Sequence, residues 1–184
     1  QASDIDDLEV LSQWDDDYAD AMRNVYRDFP DDYDVCALTA EALMVRTPWR
    51  LWDLQNRIPA EGTDTLEAIN IIETALARIE RDNDAPHAGL LHFYIHIMEM
   101  SPEPERALEA SDKLRPLVPG SGHLIHMPSH IWIPFLVLLI SIFPNSCSGA
   151  CAMLVPNLAR TRNLSHVSSN ITLDLHTDIS FFHR

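Results

Sequence analysis

The chain has 184 residues, 28 acidic against 13 basic side chains and a formal net charge of −15. Hydrophobic residues make up 46%, enough for a sizeable core and too many for an acidic disordered tail. The acidic excess argues against a nucleic-acid partner and against an anionic membrane surface, because both need basic patches. Cys36, Cys147 and Cys151 are too few for a disulfide scaffold. Glycine is scarce and neither GxGxxG nor GxxxxGK[ST] occurs, so no nucleotide cofactor is expected.

The charge is uneven. Residues 1–115 hold ten bases against 26 acids, a net of −16, whereas no Asp, Glu, Lys or Arg lies between Pro116 and Ala159. No basic segment followed by an apolar core opens the chain, so a secretory leader is not expected. The longest apolar run, Ile131 to Phe143, is shorter than the roughly 18–20 residues of a membrane span, and Pro134 interrupts it. These readings point to a cytoplasmic protein with no membrane anchor.

In chain order, Leu8 to Asp28 reads as a helix: Leu8, Leu11, Tyr18, Met22 and Val25 fall near helical spacing, with Asp15, Asp16, Asp17 and Asp20 on the wet side. Phe29-Pro30-Asp31-Asp32 stops that helix and starts another over Val35 to Val45, where Ala37, Ala40 and Ala42 allow close packing. Thr47 to Gly62 reads as loop. Thr65 to Arg81 is a strong helix, with Leu66, Ile69, Ile72, Leu76 and Ile79 forming its apolar face. Gly89 to Met100 and Pro104 to Leu117 follow as helices, and no convincing strand precedes residue 131. The class is therefore all-α.

Short helices joined by Pro-containing turns suggest an α-solenoid. Leu91-His92-Phe93-Tyr94-Ile95-His96-Ile97 aligns with Ile125-His126-Met127-Pro128-Ser129-His130-Ile131 at an offset of 34, the tetratricopeptide period.

That register carries the chemistry. Residues four apart on a helix project together, so His92 and His96 share a stripe, which Glu99 extends. His126 and His130 repeat the pair 34 residues on, with His123 one turn earlier. Neighbouring helices in a stack would bring both pairs to one side, and His87 could contribute from the rim. The expected metal ligands are His92, His96, Glu99, His123, His126 and His130. Imidazole with carboxylate suits Zn, Cu or Fe rather than Ca or Mg. Glu99 is the expected catalytic residue, as a ligand, an orienter of an imidazole N–H or a general base. HExxH is absent, which excludes a zincin, and Pro128 kinks the second pair unless it opens a helix.

Other notable residues have structural readings. Trp14, Trp49 and Trp52 suit core or inter-repeat packing, and Met98, Met100 and Met127 suit gap-filling. Ser121 and Ser129 lie near His but outside any G-x-S-x-G context. Asn163-Leu164-Ser165 and Asn170-Ile171-Thr172 match glycosylation sequons in a chain with no visible secretory route.

The segment Gly89-Leu-Leu-His-Phe-Tyr-Ile-His-Ile-Met-Glu-Met-Ser-Pro-Glu-Pro-Glu-Arg-Ala-Leu, the segment Leu117-Val-Pro-Gly-Ser-Gly-His-Leu-Ile-His-Met-Pro-Ser-His-Ile131 and Pro48-Trp49-Arg50-Leu51-Trp52-Asp53 together resemble a family of tetratricopeptide-repeat proteins of bacteria and fungi. The resemblance covers roughly residues 10–132 and implies stacked helix pairs without a settled activity. Such proteins continue with a charged, Ala-rich helix. Here residues 133–184 turn apolar, Ser-rich and Pro-interrupted, as an irregular tail from a retained intron or frameshift would. The expected organisation is an incomplete helical-repeat region over 1–132 followed by that tail. Two functions follow as expectations. One is a metal-dependent protein, in its stronger form an enzyme; the other is a scaffold binding a protein or peptide on its concave face.

Overall fold

The computed structural model describes residues 8–133. The tail expected over 133–184, with Cys147, Cys151 and both sequons, lies outside the described residues apart from Ile133. The described part is mostly helical: α1 (Leu8–Asp28), α2 (Tyr33–Val45), α3 (Thr65–Asp82), α4 (Ala88–Met98), α5 (Leu108–Leu114) and α6 (Gly122–His126). A 3-10 helix at Pro104–Ala107 leads into α5, and a further helical segment runs over 128–133. The all-α expectation agrees with this architecture. None of the described helices is long and apolar enough to cross a membrane.

Local signals account for several helix ends. Asp32 caps α2, its carboxylate accepting from Asp34 N at 2.9 Å and Val35 N at 3.1 Å. Asn83 takes the left-handed conformation at the end of α3 (φ 56°), and Asp84 N returns to Ile79 O at 2.9 Å. His87 caps α4 and Ser121 caps α6, each through a side-chain acceptor. The helix expected to run from Pro104 to Leu117 is shorter, opening as 3-10 and ending at Leu114. Its carbonyls at Ser111 and Leu114 then turn the chain through bonds from Arg115 N and Leu117 N.

The loop expected over Thr47 to Gly62 contains a small antiparallel hairpin instead. Strand β1 (Trp52–Asp53) pairs with β2 (Ile58–Pro59), Trp52 opposite Pro59 and Asp53 opposite Ile58. Two-residue strands leave no alternating pattern to read. Side-chain chemistry closes the turn: Asp53 Oδ1 accepts from Gln55 N at 2.9 Å and Asn56 N at 3.0 Å.

Helix α2 packs on α1, α3 and α4, and α4 packs on α3 and α5. Small residues make this possible. Ala37, Ala40 and Ala42 are buried, and a side chain added at Gly89 of α4 would lie 3.3 Å from Ala37 Cβ. The buried face of α3 is centred on Ala68, Ile72 and Ala75 with Ile69, Ile71 and Ile79, whereas Leu66 is 65% exposed. Ile69, Ile72 and Ile79 are buried as expected and Leu76 packs against the core, so Leu66 alone departs from the expected face. On α1, Ala19 is buried while Tyr18 and Val25 are exposed. Of the three tryptophans, Trp14 and Trp49 are half exposed and only Trp52 packs against the core, a correction to the packing role expected of all three. Met98 and Met127 fill the core as expected, but Met100 is 36% exposed.

Candidate metal centre

Helix α4 is almost wholly apolar. Leu90, Leu91, Tyr94, Ile95, Ile97 and Met98 are buried. The remaining stripe carries His92 and His96, with Glu99 at the helix C-cap. An imidazole stripe on a helix otherwise committed to the core is placed by its neighbours, not by solvent.

The facing residues come from α6 and the segment after it. Met127 and Ile131, both fully buried, seat this stretch in the core. Pro128 does not kink a continuous helix: Met127 interrupts α6, and Pro128 opens the segment over 128–133, where its missing N–H has no helical partner to lose. His126 and His130 nonetheless meet, with ring centroids 4.9 Å apart at 84° and Nε2 atoms 3.1 Å apart.

Between the two segments, His92 Nε2 lies 3.0 Å from His123 Nε2. The His92 and His96 rings are 4.7 Å apart, and those of His96 and His130 5.9 Å. One ligand atom each from His92, His96 and His123 falls within 4.8 Å of the others, close enough to hold an ion. Glu99 links the two halves. One carboxylate oxygen lies 3.5 Å from His96 Nδ1, and the other is hydrogen-bonded to His130 Nδ1. The six expected ligands therefore form one connected cluster, partly buried except for exposed His123.

The electrostatics follow from that enclosure. Burial, reinforced by His96, His123 and His130, brings the His92 imidazole from 6.5 down to about 3. His92 is thus neutral at pH 7, with a lone pair to offer. Burial by itself would raise the Glu99 carboxyl; the hydrogen bonds from His130 and His96 outweigh it and bring the group down to about 2. Glu99 also sits at a helix C-terminus, where the dipole disfavours an anion, so the histidines are what keep it charged there. An ionised carboxylate only accepts, which makes His96 Nδ1 and His130 Nδ1 the donors.

His87 does not join this cluster. Its Nδ1 accepts from Leu90 N at 3.2 Å and its Nε2 donates to Asp34 at 3.0 Å, so one nitrogen caps α4 and the other ties that cap to α2. That pairing is a correction to the rim role expected from sequence. A contribution that sequence reasoning missed comes from the hairpin. Trp52 Nε1 donates to Ile97 O at 2.6 Å and Arg57 Nη2 donates to Pro102 O at 2.7 Å, tying down the chain on either side of Glu99. An indole N–H needing a buried acceptor is a sequence signal, but its target, 45 residues away, is not.

Comparison with protein-family models, with curated proteins and with solved structures yields no match.

Proposed function

We propose that the chain is a TPR-like helical repeat protein that binds a transition ion, Zn, Cu or Fe, at His92, His96 and His123. One observation carries this reading: three imidazole ligand atoms from two separate segments lie within 4.8 Å of one another. Three imidazoles leave a coordination position open for water or a substrate atom, the arrangement catalytic zinc sites use. Glu99 supports the site by fixing His96 through Nδ1, which leaves Nε2 for the ion. The enzymatic form of the reading makes Glu99 a general base. Its engagement by both His96 and His130 favours orientation of the ligands over proton transfer. The repeat assignment rests on the 34-residue offset between His92/His96 and His126/His130.

Elemental analysis of the purified full chain, beside His92→Ala and His126→Ala, tests this. The expected result is at least one equivalent of metal per wild-type chain and a clear loss in His92→Ala. Substoichiometric metal in the wild type, or metal unchanged in both variants, overturns it. The protein would then be read as a metal-free scaffold whose concave face binds a protein or peptide partner.

A further inference from the structure

The cluster is not one ring of ligands. Two Nε2–Nε2 contacts pair four of the imidazoles, and the fifth, His96, stands between the pairs, its ring centroid 4.7 Å from His92, 6.2 Å from His123 and 5.9 Å from His130. His130 Nδ1 is held by Glu99, and His126 Nδ1 lies 3.4 Å from Ser129 Oγ. With both Nδ1 atoms so engaged, the two Nε2 atoms face each other at 3.1 Å. On the other side, His92 and His123 also meet through Nε2 atoms, at 3.0 Å, with His96 beside them. Two nitrogens on a tetrahedral ion with bonds of 2.0–2.1 Å lie about 3.3 Å apart. Each Nε2 pair is within a few tenths of an ångström of that edge, and the pairs share no residue.

The geometry points to two ion sites in this cluster: a three-imidazole site at His92, His96 and His123, and a second, weaker site at His126 and His130, aligned by one carboxylate, Glu99, between them. This inference rests on the metal-binding reading above. The second site takes the same class of ion, a divalent first-row transition metal, with water completing its shell. In the metal-free state His126 Nε2–H donates to His130 Nε2, and His126 Nδ1 accepts from the Ser129 hydroxyl. When an ion enters, the shared proton leaves His126 Nε2 and Nδ1 takes one up, so both imidazoles stay neutral and both Nε2 lone pairs meet the metal. Ser129 then accepts from His126 Nδ1–H. The second site is weaker because it has two protein donors against three.

Titration of the full metal-free chain with Co(II), followed by absorption, and with Zn(II), followed by heat, tests the inference. Two equivalents are expected, the second bound at least about tenfold more weakly. His126→Ala should abolish the second step and keep the first. Ser129→Ala, a small change, should weaken the second step alone by about 10–100-fold, and Glu99→Gln should weaken both by about that factor. A single equivalent unaffected by His126→Ala overturns the second site and leaves the metal-binding reading standing; a single equivalent lost in His126→Ala overturns the division into two sites and the three-imidazole placement with it. No binding in the wild type overturns both. Helicity measured on each variant separates loss of a ligand from loss of fold.

Discussion

At the residue scale, His92 and Glu99 show how packing shifts the proton affinity of side chains of ordinary chemistry. Both bind protons less readily when folded than the free groups, His92 falling from 6.5 to about 3 and Glu99 from 4.5 to about 2. Between those limits the unfolded chain binds more protons than the native one, so stability rises with pH and is lost on acidification. The metal-free protein should therefore unfold at lower urea as pH is taken from 7 to 4. His92→Phe should remove part of that slope between pH 6.5 and 4; an unchanged slope in the variant would contradict the assignment. The stripe of His92, His96 and Glu99 was legible in sequence because helical spacing alone sets it. The contact of His123 with His92 was not, since the two lie 31 positions apart and meet only through how the chain between them folds.

At the element scale, the short hairpin and the turn between α1 and α2 act as clamps. Trp52 donates to a carbonyl in the last turn of α4, a group the helix itself leaves unbonded. Trp52→Phe keeps the ring and deletes the donor. It should destabilise by about 0.5–1.5 kcal/mol in denaturant unfolding and weaken ion binding less than Glu99→Gln does. The α1–α2 turn is held from α3. Arg78 donates to Pro30 O at 3.1 Å and Asp31 O at 2.8 Å, and its guanidinium lies 4.7 Å from the Tyr33 ring centre. Its side chain is only 14% exposed. Arg78→Ala should cost about 1–3 kcal/mol, and Arg78→Lys should recover little of it, because an ammonium cannot reproduce the planar fork. Urea midpoints of the two variants check this. The helices were legible because their apolar spacing runs over several turns. The hairpin was not, because its strands are shorter than any pattern and its turn rests on one Asp side chain.

At the scale of the whole molecule, several of the described basic residues cross-link elements of an acidic chain. Arg23 reaches from α1 to Asp64 at 2.9 Å and to Glu67 on α3 at 2.7 Å. Arg46 joins Asp16 of α1 to Asp64, and Lys113 of α5 reaches Glu80 of α3 at 2.6 Å. The His cluster is one more link, between α4 and the segment holding α6 and Pro128. An ion held there, as proposed, would couple these elements and stabilise the fold by about 2.7 kcal/mol at a free concentration 100 times its Kd. Thermal unfolding should therefore shift upward with Zn(II) in the wild type and return on chelation. His92→Ala should show little shift; an equal shift in that variant would place the ion elsewhere.

Sequence alone determined the helical class, the acidic surface and the two spaced His pairs, because periodicity and composition are local properties of the chain. Tertiary structure decided the rest. It left Leu66 of α3 exposed while burying Ile69, Ile72 and Ile79, made His87 a cap tied to Asp34, and made Pro128 the start of a helical segment. Above all, it brought Glu99 between His96 and His130. A carboxylate and an imidazole separated by 31 residues bond only when the buried side chains Met127 and Ile131 seat their segment against the core that α4 also lines. That condition belongs to packing, and no residue spacing expresses it.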